Sequence, residues 1–197
     1  GGIYNFSKGV YFLGNSLKMD KVVVSGSSED GVLMQRGSSE ITNSTFSSNY
    51  QSINCDKAAS ANIINNVIKA QYTGIVLNLC KARVEGNNVS SSHNGIYVLG
   101  GPSNVISNIV HDNKVGLQWS MSNNGSIEHN YFLDNDQGAI LTYSTMKVQD
   151  CQFSNKVTDI VSNGSAVSMV NSTFKKDIVA DQVGRIQIYW YLDVLVQ

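Results

Sequence analysis

The 197-residue chain is short of several features that soluble proteins usually have in plenty. It has one proline, three cysteines and only 15% charged residues, where an average soluble domain has about 25% charged. Net charge is −1 and no basic stripe is present, which argues against nucleic acid as a partner. No run of about 18 apolar residues occurs, so direct membrane insertion is not expected. A charged start leading into an apolar segment is also missing, so a secretory leader, if the protein has one, lies outside this sequence. Cys55, Cys80 and Cys151 are an odd count and lack zinc-ligand spacing.

Polarity comes instead from neutral groups, 22 Asn and 26 Ser, and 17 Gly accompany them. That mixture suits strands joined by tight turns better than packed helices. The asparagines recur with a period. Apolar residues open successive units at Leu17, Ile41, Ile63, Val84, Val105, Ile127, Val148 and Met169, in steps of 24, 22, 21, 21, 22, 21 and 21. A second apolar residue follows each by five: Val22, Phe46, Ile68, Val89, Val110, Phe132, Phe153 and Phe174. A third follows most of these by seven: Ile53, Ile75, Ile96, Leu117, Ala139 and Ile160. The long first step is assigned to the extra turn residues "GSSED" at 26–30.

Units of 21 to 22 residues are too short for a propeller blade, and the Leu-dense pattern of leucine-rich repeats is missing. One solution remains: each unit makes a turn of a coil, and its strands pair in parallel with those of the next turn. No unit can bury its own apolar side, but stacked units share a continuous core. Asn66, Asn87, Asn108 and Asn130 then sit where the wall bends, with Asp20, Ser44, Cys151 and Ser172 at the same place in other turns. An inward Asn there can bond both the bend and the amide one turn away. Gly74, Gly95, Gly116 and Gly138 precede the third column, where glycine would allow the backbone angles of a second corner.

The spacing resembles the repeat of the right-handed parallel β-helix proteins of the pectin-lyase-like superfamily, closest to the short form in NosD-like and carbohydrate-associated surface proteins. The resemblance implies an all-β, right-handed solenoid of about eight coils across residues 1–182. Residues 183–197 break the pattern: Ile186, Ile188, Trp190, Leu192, Val194 and Val196 alternate with Gln187, Tyr189, Tyr191, Asp193, Leu195 and Gln197, a long strand with one buried face. That strand caps the coil or enters a following β-sandwich module. The chain reads as a segment of a larger protein.

Function is less legible. Enzymes on this fold carry long inserted loops with paired charged residues, whereas here the turns are minimal and arginine is limited to Arg36, Arg83 and Arg185. The expectation is a non-enzymatic extracellular or cell-surface segment, a stalk or carbohydrate-facing adhesion module. The alternative is a polysaccharide lyase, glycoside hydrolase or uronate epimerase whose active site is incomplete in this segment. One polar corner stands out. Asp112 and Asp134 share a column; His93, Lys114 and Asp136 fill the column two residues on; Tyr97 and Gln118 point outward just beyond. Such a corner suits a glycan or Ca²⁺, or is a solvated turn; no other cofactor is expected. Neighbouring domains or further copies are expected to contact the outward apolar residues Val76, Ile140 and Val161. Six Asn-x-Ser/Thr sequons occur, of which Asn124 and Asn163 are best placed for glycosylation. Cys55 aligns with Leu77 and Val98 and reads as a small buried hydrophobe. Its bridge to Cys80 is out of reach unless a turn folds back.

Overall fold

The computed structural model describes residues 1–57, 60–123 and 125–191. Each apolar column of the sequence becomes one inner wall of a three-sided parallel β-solenoid. The first side is a sheet of nine parallel strands, running in order from Ser16–Asp20 to Arg185–Tyr189. The second and third sides form one continuous 15-stranded sheet, because Thr45–Asp56 and Val67–Asn78 run unbroken around the corner between them. The two long strands accommodate that corner with register shifts around Asn49. Ile53, Ile75, Ile96, Leu117, Ala139 and Ile160 stand directly above one another and are buried. Trp119, fully buried between Val98 and Leu141, is the largest inward side chain. Phe132 and Phe153 stack with centroids 4.9 Å apart.

Register corrects the first unit. Met19, not Leu17, pairs with Ile41, and Val24, not Val22, pairs with Phe46. The step is therefore 22, as elsewhere, and the turn at 26–30 adds one residue rather than three. Leu17 and Val22 are apolar but sit two places early, which an alignment on hydrophobicity alone cannot detect. Asp20 is displaced with them: it is exposed and accepts from Thr42 Oγ1 at 2.9 Å and Asn43 Nδ2 at 2.8 Å.

The inward asparagines build a ladder along the first corner. The backbone N–H groups of Ser44, Asn66, Asn87 and Asn108 each donate 2.9 Å to the side-chain oxygen of the Asn one turn on. Their Nδ2 groups donate backward, for example Asn87 to Ile63 O at 2.8 Å. A second ladder, not singled out from the sequence, lines the next corner through Ser92, Asn113, Asn135 and Asn155. It ends at buried Asp159, which accepts from Asn155 and from the backbone N–H of Lys175 and Lys176. Each ladder satisfies bend amides that water cannot reach.

The glycines before the third column have a different cause from the one expected. Gly74, Gly95, Gly116 and Gly138 are not in the left-handed region. A Cβ at Gly95 or Gly116 would lie 2.6 Å from the carbonyl oxygen of the next turn, so close backbone approach selects glycine here.

Cys55 is inward and buried as expected, but bridged rather than a free small hydrophobe. Cys55 and Cys80 form a disulfide, with Cα atoms 6.0 Å apart. Leu79 adopts a left-handed conformation (φ 51°), which folds the third corner back and turns the Cys80 side chain inward. Both are fully buried.

At the far end, Arg185–Tyr189 continues the first side as its ninth rung, pairing Val167 with Ile186 and Met169 with Ile188. The solenoid thus has about nine turns, one more than the apolar openers indicate. Residues 192–197, and with them the outer part of the expected alternation, lie outside the described residues.

Candidate functional site

Outward residues of the third side also form columns, and two of them make a surface with ligand-binding character. Tyr50, Tyr72 and His93 lie on successive turns at the second corner. Tyr50 and Tyr72 stack at 5.2 Å with rings 4° from parallel, and Tyr72 and His93 at 5.0 Å and 17°. Spacing of this size follows from the rung repeat of a parallel sheet, about 4.8 Å. Both faces of Tyr72 are taken up by its neighbours, so in the middle of the stack only ring edges meet solvent. Beside it runs a shallow groove of about 320 Å³, lined by Gln51, Tyr72, Thr73, Val76, Asn94, Tyr97 and Gln118. Tyr97 lies between Val76 and Gln118 in the strand pairing. Every polar group in the lining is neutral.

The residues expected from the sequence fall into three places. Tyr97 and Gln118 line the groove, and His93 joins the aromatic stack at its rim. Lys114 and Asp136 continue the column of His93 on later turns, since the neighbouring residues Asn94, Val115 and Gln137 are paired. Asp112 and Asp134 occupy left-handed corner positions, φ 54° and 53°. Asp112 Oδ2 lies 2.8 Å from His111 Nδ1, and His111 Nε2 lies 2.9 Å from Asn88 Oδ1. Asp112 is thereby drawn toward the second side and away from the groove. Tyr50, Gln51, Tyr72 and Thr73 were not anticipated. Tyr50, Tyr72 and His93 recur at the coil period but carry no run of charge, and Gln51 and Thr73 have no signal of their own.

Asn163 ends the strand Thr158–Asn163, its carbonyl accepting from Tyr143 N at 2.9 Å; Asn124 lies outside the described residues. Of the outward apolar residues, Val76 is buried in the groove, while Ile140 and Val161 are half-buried.

Donors for a metal do not converge. Among the described residues no group of three His, Cys, Asp or Glu side chains is placed to hold an ion. His93 is stacked on Tyr72, His111 is held by Asp112 and Asn88, and His129 Nδ1 lies 3.8 Å from Asp150. The Cys151 thiol is buried, and desolvation pushes its pKa from 9.0 to about 11, so it stays protonated at neutral pH.

Comparison with curated proteins and with solved structures gave no match. The family described as "Periplasmic copper-binding protein (NosD)" matches residues 3–194, and this span, with the parallel β-solenoid it folds into, places the chain in the NosD family of right-handed β-helix proteins.

Proposed function

We propose that this protein is an extracytoplasmic β-helix module that displays its third side to glycans, binding them without cleaving them, as part of a stalk or adhesive surface. The observation that carries the reading is the composition of the groove. Tyr97 offers an aromatic surface, and Gln51 and Gln118 offer neutral donors and acceptors above a floor that includes the buried Thr73 and Asn94. Sugars are recognised by that pairing, an apolar face for C–H groups and amides or hydroxyls for the ring hydroxyls. The tyrosine and histidine edges at 5.2 and 5.0 Å extend the hydrogen-bonding surface along the solenoid axis, which suits a linear chain. Location outside the cytoplasm is supported by the family's description as periplasmic and by the disulfide, which persists in oxidising compartments.

Copper appears in the family's description, but the residues here do not fit it. The three histidines are engaged in separate contacts. The one free thiol sits inside a hydrogen-bond ladder. No step is therefore assigned to a metal.

The test is titration of the protein and of Tyr97→Ala with a panel of neutral and acidic oligosaccharides, followed by analysis of the products. Binding is expected to be weak, on the order of millimolar, because a shallow groove buries little of its ligand. It should be lost in Tyr97→Ala while the melting temperature holds. New reducing or unsaturated ends would replace this reading with a polysaccharide-active enzyme.

A further inference from the structure

We propose a second, separate site: a depression where the third side meets the third corner, built to bind an acidic sugar. Tyr11, Leu13, Gln35, Arg36, Asp56 and Lys57 line a hollow of about 420 Å³, spanning three turns, with Tyr11 four turns from Tyr97 along the same outward column. Met34 pairs with Cys55, and just past these strand ends Arg36 and Lys57, on adjacent turns, line the same hollow. Two cations brought to one hollow repel each other unless an anion lies between them. Three surface cations meet carboxylates, in Lys8–Glu29, Lys18–Glu40 and Arg83–Glu85. Among the described residues Arg36 and Lys57 form no such pair.

Asp56, the adjacent carboxylate, is otherwise occupied. Its Oδ2 accepts from Gln35 Nε2 at 3.1 Å and its Oδ1 from Asn78 Nδ2 at 2.7 Å. Gln35 in turn accepts from the Tyr11 hydroxyl at 2.8 Å, which fixes the tyrosine ring at the rim. Tyr11 is 54% exposed and Leu13 49%. The hollow therefore joins two cations, one more positive charge than the single Asp56 carboxylate balances, to an apolar wall held in position. The ligand that satisfies both is a pyranose bearing a carboxylate or sulfate: the anion bridges guanidinium and ammonium, and the ring lies against Tyr11 and Leu13. The site lies outside the groove and stands independently of the glycan reading given for it.

The experiment is an NMR titration of the whole chain with methyl glucuronide, methyl glucoside and sodium sulfate. Methyl glucuronide should shift the resonances of Tyr11, Arg36 and Lys57, and raising salt should weaken it. Arg36→Gln/Lys57→Gln should lower its affinity about tenfold or more, the scale of a lost charge-assisted contact. Tyr11→Ala should weaken the glucuronide but not sulfate, and neither change should alter the response of the Tyr97 groove to neutral oligosaccharides. Equal affinity for methyl glucoside, equal affinity for sulfate alone, or full binding by the double variant would each overturn the proposal.

Discussion

Cys151 stands where the four preceding turns place an asparagine. Asn130 N donates to its Sγ at 3.5 Å, and the thiol donates to Gln149 O at 3.2 Å. An asparagine makes the same contacts with better donors and acceptors, so Cys151→Asn should hold or raise stability in urea unfolding. Cys151→Ala should lower it by about 1–3 kcal/mol by orphaning the Asn130 amide. The pH dependence has a definite sign. The folded thiol pKa is raised from 9.0 to about 11, so its contribution is complete below pH 9 and is lost as pH climbs through 11. Relative to Cys151→Asn, the parent protein should weaken by on the order of 2–3 kcal/mol across that window. One residue apart on the third side, Ile96 is fully buried and Tyr97 faces out. Ile96→Asp should unfold the coil around it, since a buried unpaired charge costs several kcal/mol. Tyr97→Ala should cost less than about 1 kcal/mol. Equal sensitivity, read from the two melting curves, would contradict the inward and outward assignment.

At the scale of the element, each ladder couples one turn to the next through side chains as well as strands. Asn108 Oδ1 accepts from Asn87 N at 2.9 Å and from Asn87 Nδ2 at 3.0 Å, and Asn108 Nδ2 donates to Val84 O at 3.0 Å. Asn108→Ala leaves these groups buried without partners and should cost about 3 kcal/mol or more in chemical denaturation. Gly116→Ala tests a different constraint. Its added methyl meets the Gly138 carbonyl at 2.6 Å, so the strands at 115–120 and 137–142 must separate. Faster amide exchange along that pair, with distant turns unchanged, is the expected outcome.

For the whole molecule, the disulfide is the one covalent tie between turns among the described residues. It closes a separation of 25 residues, for which chain entropy gives a stabilisation of about 3 kcal/mol. Reduction should lower the melting temperature and speed amide exchange first around Cys55 and Cys80, because solenoid turns depend mainly on their neighbours. Uniform loss of protection along all turns would instead mean that the solenoid unfolds as a single unit.

Periodicity alone determined that the chain coils. Apolar residues returning every 21 or 22 positions cannot be buried by single units, and only stacking gives them a shared core. The inward asparagines of the first corner were legible for the same reason, since a polar residue fixed in an apolar register must satisfy something buried. Other features depended on where the backbone goes. Met19 and Leu17 are both apolar, and only strand pairing selected Met19 for the core. The bridge between Cys55 and Cys80 needed the reversal at Leu79, which strand spacing does not encode. The groove needed three dimensions most of all: Gln51, Thr73 and Asn94 are unremarkable along the chain and join Tyr97 and Gln118 in one surface because parallel pairing sets successive turns about 4.8 Å apart.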